Sequence, residues 1–413
     1  MVKIAYLIGN GFDIHLGLPS KYTDFYNWLE TVFGQDEINQ EYKTLEKRKN
    51  PLVQELVNAV KIKSIGEESP LTNAKKWSDF EETLKDRIFE LSQKENPTEK
   101  VVNLVHNLQD INALMTFYLK KELTEIEKID KFTPNVVEKS LSKPINQLKP
   151  QQLDLLKSLI KDKLSSTGFV PSQHVIEFVN FNYTPLLEMY LSEVNSINIS
   201  EFDEIFTPSQ RPLRIKNKIE YPNGNFDDTP ELGIGTRDDL PQNIHLSKIL
   251  TNYLVKEAFA RNRMDKRVTN IFDTIDSSDI VISYGLSLGK SDDLYLSRII
   301  SSLIANPKKF VIIVVYNPNF NPSEITIESM EFELEIKERL IDSYYHINHS
   351  DQSTETDEQS SADLLNELDD RIIVLSDNGK NNGDSSSFMY FPYLKNTKSK
   401  TNAKTEEMNI VVV

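Results

Sequence analysis

With 413 residues, the chain has room for one large α/β domain carrying an insertion, or for two domains. A net charge of −16 argues against general affinity for a nucleic-acid backbone or an anionic membrane, and the lack of cysteine removes disulfides and thiolate metal sites. The apolar part of Val2–Ile8 is too short for an export signal and Phe310–Tyr316 is only a strand's length, so a soluble cytoplasmic protein is expected. A hydrophobic share of 38% and a mean hydropathy of −0.43 imply a sound core diluted by polar helices, with at least one disordered segment.

In chain order, the first element is an apolar strand over Lys3–Ile8 that ends abruptly in Gly9-Asn10-Gly11-Phe12-Asp13, then Gly17-Leu18-Pro19. A buried parallel strand hands over to a phosphate-binding turn in this way. Gly9 offers the positive φ that such a turn requires, and Gly11 lets backbone N–H groups approach an anion. The dinucleotide fingerprint is incomplete, because Ile14 stands at its third glycine position.

From Thr23 to Ser172 the period turns helical, with Leu104, Leu108, Ile111, Met115 and Leu119 recurring three or four residues apart. Residues 1–22 therefore read as the first βα unit, 23–172 as a helical insertion, 173–345 as the rest of the core, and 346–413 as a polar tail. Within the insertion, Trp77, Phe80 and Leu84 share one helix face, with Glu81 beside it and Trp77 read as a core anchor. The acidic helices there are solvated faces or an oligomer interface.

Further strands are expected at Val175–Phe181, at Leu213–Ile219 as a polar edge, at Asp279–Gly285, at Lys309–Tyr316 and at Arg371–Leu375. Near-continuous apolar runs separated by helices predict a Rossmann-like parallel sheet covered on both faces. In the tail, His349–Ala362 and Ser376–Ser387 read as mobile segments, and Lys395–Glu407 as frayed before the apolar stub Ile410–Val413.

Three strand ends share one layout: Gly9–Phe12, Asn180–Thr184 and Ser283–Gly289. In an open parallel sheet ligands bind outside the carboxyl ends of the strands, so all three loops are expected around one crevice. Asn182 both donates and accepts, which suits a ribose hydroxyl or a water, and a turn residue satisfying its own backbone is the plainer reading. Ser287 can donate to a phosphate or ribose; Asp292 is equally a first-turn acid of the next helix. No clustered carboxylate site for a metal is visible, which disfavours a nuclease, and no metal is expected.

The run Gly9–Pro19 with Tyr22, Asp24 and Phe25 resembles the signature of the AbiH family of bacterial abortive-infection proteins. Trp77-Ser78-Asp79-Phe80-Glu81, Phe181–Glu188 and Tyr284–Asp292 fit the same family. The same segments are more distantly similar to sirtuins and to sirtuin-like NAD-cleaving defence proteins. That resemblance implies an NAD-type pocket formed by Gly9, Asn10, Gly11, Phe12, Gly17, Tyr183, Gly285, Ser287 and Asp292, and cleavage of the nicotinamide–ribose bond upon infection. It implies NAD or a related nucleotide as ligand, and a phage-derived trigger or a homo-oligomer as partner. The missing cysteines exclude the sirtuin zinc module and so disfavour deacylation.

One departure stands out. Asn223, in Tyr221-Pro222-Asn223-Gly224, occupies the place where sirtuin-like enzymes carry a basic histidine, and an amide cannot take a proton near neutrality. Asp13 then becomes the favoured base, ahead of His15 and His245, with Asn182 orienting ribose and water. Alternatively one carboxylate or a well-placed Asn, such as Asn182 or Asn223, suffices once nicotinamide has departed, or the site senses a nucleotide without cleaving it.

Overall fold

The computed structural model describes residues 1–33, 50–57, 77–126, 134–165, 174–192, 194, 196–197, 213–226, 232–256, 258, 267–317, 319–321, 326–348 and 355–378. Its centre is a seven-stranded sheet in the order β3-β4-β2-β1-β5-β6-β7. The strands are β1 (Lys3–Ile8), β2 (His174–Asn180), β3 (Ser196–Ile197), β4 (Leu213–Glu220), β5 (Ile280–Tyr284), β6 (Phe310–Tyr316) and β7 (Ile372–Asp377). Six pair in parallel, and only the two-residue β3 runs antiparallel, against β4.

The apolar runs are continuous because each strand faces two cores. Ile4, Tyr6 and Ile8 of β1 point to one side of the sheet, with Ile282, Phe310 and Ile312. Ala5 and Leu7 point to the other, with Val281, Val311 and Ile313.

The first side is covered by helices between β1 and β2: α1 (Asn10–His15), α2 (Tyr22–Phe33), α3 (Trp77–Ser92), α4 (Pro97–Ile126), α5 (Pro134–Asn146) and α6 (Pro150–Ser165). The expected apolar stripe of α4 is fully inside, from Leu104 to Leu119. Phe80 and Leu84 of α3 are buried as expected, while the side chain of Trp77 lies outside the described residues. After α7 (Leu186–Leu191) and α8 (Lys248–Leu254), the second side is covered by α9 (Arg267–Ser277), α10 (Asp293–Ala305), α11 (Ile327–Asn348) and α12 (Glu355–Leu368).

The last helix corrects the sequence reading. His349–Ala362 was expected to be mobile, yet residues 355–362 open α12. The composition of that stretch is polar because Leu364, Leu365 and Leu368, further along the helix, dock it on the core. Likewise α11 runs through His346, so the core does not end at residue 345. The strand expected at 371–375 is present as β7 but runs on through Ser376 and Asp377, where a mobile segment was expected; the expectations for residues 379–413 fall outside the described residues.

From β1 the chain moves to β2 and β4 on one side, then returns to β5 on the other. The carboxyl ends of β1 and β5 therefore form the topological switch point, where ligands of such sheets bind. Here the two turns interlock through backbone alone. Gly9 N–H donates to Tyr284 O and Gly11 N–H to Gly285 O, each at 2.9 Å.

A Cβ on Gly9 would sit 2.4 Å from Gly285 O, and one on Gly11 would sit 2.6 Å from Gly285 Cα. Gly285 itself has φ +68°. The expectation for Gly9 was a positive φ; it is instead extended, at φ −104° and ψ −177°. Its glycine character serves close approach of two backbones. Gly17, at φ +93°, has open space where a Cβ would go.

Gly9→Ala should therefore lower stability by about 3 kcal/mol or more, through a backbone clash that cannot relax cheaply. Gly17→Ala should cost only about 1–2 kcal/mol of left-handed strain. Urea denaturation midpoints of the two variants check the order; equal midpoints would contradict it.

Candidate functional site

The sequence-selected residues divide into two neighbouring groups. Gly11, Gly285 and Ser287 line a cavity of about 780 Å³ at the switch point. Its walls add Leu286, Leu288, Val314, Val315, Phe332 and Ile336, with Tyr284, Tyr316, His15, Lys21, Glu335, Arg339 and Asp377. A mostly apolar volume with a few charged groups, within the roughly 300–1,000 Å³ of ligand pockets, suits a small molecule with an aromatic ring and an anionic part.

Asn182 and Asp13 form the second group, buried behind the β1 turn and outside the cavity's lining residues. The three loops thus do not all face that cavity, contrary to the sequence reading. The β2 loop packs against the β1 turn: Phe181 N–H donates to Ile8 O at 2.8 Å.

The second group is a tight polar knot. Asn182 Nδ2 donates to Gly9 O at 3.1 Å and to Asp13 Oδ1 at 2.9 Å, while Thr184 Oγ1 donates to Asp13 Oδ2 at 2.6 Å. Two acceptors on its nitrogen fix which way the Asn182 amide points. Its oxygen, Oδ1, is left buried with no partner among the described residues. A buried amide oxygen without a donor is costly, and a donor hydroxyl or water relieves it.

Burial pushes the Asp13 carboxyl up to about 7; the Thr184 and Asn182 hydrogen bonds pull it down, and the Glu188 charge raises it. Both Asp13 oxygens are engaged and the residue is 1% exposed. Asp13 therefore acts on Asn182, setting its orientation, where the sequence reading had made it a direct base.

The remaining candidates take mostly architectural positions. Asn10 accepts from Ser20 Oγ at 2.6 Å and donates to Ser20 O at 3.3 Å, closing the Gly17–Ser20 loop. Phe12 is in the core, edge-on to Tyr190. The N–H groups of Gly9 and Gly11 are spent on the β5 turn, so they do not cradle an anion as expected. Asn223 donates to Phe181 O at 3.0 Å, tying the loop after β4 to the end of β2. His15 lies edge-on to Tyr284 at the cavity, whereas exposed His245 sits beside the start of α4, its N–H bonded to Thr98.

Ser287 joins the cavity to a charged cluster. Its hydroxyl donates to Asp292 Oδ2 at 3.0 Å and accepts from Gly289 N–H at 3.3 Å. Burial, followed by the Glu81 charge, pushes Asp292 up to about 6, against the pull of Ser287 and Lys256. Glu81 is paired with Lys256. Tyr183 is buried and adds to the field on Lys256.

Sequence reasoning missed Lys256, Arg339 and the partnership of Glu81. Arg339 reaches from α11 to donate to Leu288 O at 2.8 Å and pairs with Asp293, which also holds His346 Nδ1 at 2.8 Å. It braces a loop in which Leu288 is left-handed at φ +54°, a strained position for a branched side chain. Only Glu81, within Trp77–Glu81, carried a signal in the sequence. Among the described residues no group of three or more histidines and acids could hold a metal, and no helix is long and apolar enough to cross a membrane.

Residues 5–315 match the family described as bacteriophage abortive infection AbiH. The chain belongs to the AbiH family. The match runs from β1 to the end of β6 and so includes the interlocked glycines, the Asn182 knot and the Glu81–Lys256 pair. No curated protein matches the chain. A role in abortive infection of phage-infected bacteria follows from the family.

Because Asp13 titrates near 7 when folded and near 4 when unfolded, the folded state binds the extra proton between those values. Stability contributed by the neutral form is present below about pH 4 and is lost as pH rises through about 7, a cost on the order of 4 kcal/mol. In Asp13→Asn the amide can accept from Asn182 and donate to Thr184 without titrating. The variant should thus gain on the wild type between pH 4 and pH 8 in thermal or urea unfolding. A stability difference that stays flat across that range would contradict it.

Proposed function

We propose that this AbiH-family protein binds NAD or a closely related dinucleotide at the β1/β5 switch point and hydrolyses its nicotinamide–ribose bond during abortive infection. The observation that carries the reading is the Asn182 amide, whose nitrogen is pinned by Gly9 and Asp13 while its buried oxygen has no donor among the described residues. A ribose hydroxyl, or the water that attacks the ribose, supplies one once ligand binding opens a path from the adjoining cavity, which Asn182 does not line.

The adjoining cavity supports the nucleotide class. Tyr284, Tyr316 and Phe332 offer ring surface for a base, and Lys21 gives positive charge toward phosphates, while Arg339, paired with Asp293, holds the Leu288 loop in place. Ser287 lines the same cavity and bonds Asp292, so a ligand leaving the cavity past Ser287 meets that carboxylate. In this scheme Asn182 orients, Asp13 positions Asn182, and Ser287 holds a phosphate or ribose oxygen. Glycosidic cleavage with an oxocarbenium-like centre needs only modest help from a base, so Asn223 is tolerable in place of histidine.

A second reading, a nucleotide sensor without catalysis, is favoured by one observation: Asp13, the carboxylate bonded to Asn182 among the described residues, has both oxygens occupied. Nicotinamide release by the purified full chain separates the two. Hydrolysis should fall about 100-fold or more in Asn182→Ala, the scale on which positioned polar groups contribute. ADP-ribose binding that Asn182→Ala weakens, with no release by the wild type in the presence or absence of infected-cell extract, would establish the sensor instead. Neither binding nor release would remove the nucleotide assignment.

A further inference from the structure

Three segments distant in sequence meet beside the β5 turn. Glu81 comes from α3, Lys256 from just beyond α8, and Ser287 and Asp292 from the loop before α10. The Lys256 segment is held by a two-way backbone clasp: Ile234 N–H donates to Leu254 O at 2.8 Å, and Lys256 N–H to Ile234 O at 2.9 Å. Gly233 makes the clasp possible, since a Cβ there would lie 2.3 Å from Leu254 O.

The cluster is built around an excess of negative charge. Lys256 pairs with Glu81 Oε1. Burial opposes its charge, but the neighbouring acids outweigh burial and hold its pKa above the ordinary lysine value. Glu81 Oε2 is buried with no hydrogen-bond partner among the described residues, and Glu81 as a whole is 8% exposed. Asp292, half-buried, takes the Ser287 hydroxyl on Oδ2 and feels the Glu81 charge. One ammonium against two carboxylates leaves a single negative charge, next to a serine that also lines the cavity.

Resting on the nucleotide reading above, we propose that Glu81, Lys256 and Asp292 form a subsite selective for a cationic ring, the pyridinium of oxidised NAD. Lys256 neutralises Glu81 and aligns it; Asp292 supplies the charge that the ring meets. The reduced cofactor has a neutral dihydropyridine ring and gains nothing from that charge. ADP-ribose has no ring and ignores the subsite. The site therefore discriminates redox state, a selectivity that neither the fold nor a phosphate contact provides.

Calorimetric titration of the full chain with the carba analogue of NAD⁺ (uncleavable but still cationic), with NADH and with ADP-ribose tests this at pH 7.5. The wild type should prefer the cationic ligand by about fivefold, the worth of a partly exposed ion pair. Asp292→Asn should abolish the preference, with a cooperative thermal unfolding transition as the sign of an intact fold. Glu81→Gln, which also brings the cluster to neutrality, is the second variant should the first not fold.

Equal wild-type affinities for the two dinucleotides, or a preference that survives both variants, would overturn the subsite. Failure of all three ligands to bind would overturn it together with the nucleotide reading. A preference that the variants abolish, in a protein that releases no nicotinamide from NAD⁺, would support the subsite and refute hydrolysis alone.

Discussion

The structure depends on one contact without side chains, the approach of the Gly9–Gly11 turn to Gly285. Two backbones come close enough there that a single methyl group on either would overlap the other. The contact closes the crevice between β1 and β5 at its floor, where the chain reverses its direction of travel across the sheet. Everything proposed to touch a ligand is held relative to it. Asn182 is bonded to Gly9, Ser287 follows Gly285 by two residues, and the cavity opens beside both turns.

This makes the glycine-rich signature a packing device before it is a binding device. In a dinucleotide fold the glycines bring backbone N–H groups toward a pyrophosphate. Here those N–H groups point into the neighbouring turn and are satisfied there. In the proposed reading anion recognition therefore rests on side chains, with Ser287 and Lys21 placed around the cavity. The polar knot behind the turn complements this arrangement. Asp13 and Thr184 are buried so that a single amide is held with its oxygen free.

Much of the frame was legible in the sequence because strands buried on both faces leave long apolar runs. Lys3–Ile8, Ile280–Tyr284 and Phe310–Tyr316 could hardly be anything else, and their alternation into two cores explains why Ser283 is the one small polar residue within them. The Leu104–Leu119 stripe was equally plain. Asn182 stood out from its position at a strand end. What could not be read was contact between distant segments: Glu81 with Lys256, Arg339 with Leu288 and Asp293, and the walls given by β6, β7 and α11. The same limit hid α12, whose polar surface outweighs the three leucines that dock it. Glycine roles were misassigned for a related reason, since a turn glycine and a close-packing glycine look alike until the partner backbone is in view.

The central claim is that the switch-point crevice holds a nucleotide, extending past Ser287 toward Asn182 and Asp292. A crystal structure of the full chain with ADP-ribose tests it most directly. The account predicts density in the cavity, with the pyrophosphate near Ser287 and a ribose hydroxyl within hydrogen-bond distance of Asn182 Oδ1. An empty crevice, with ADP-ribose absent or bound elsewhere on the molecule, would contradict it.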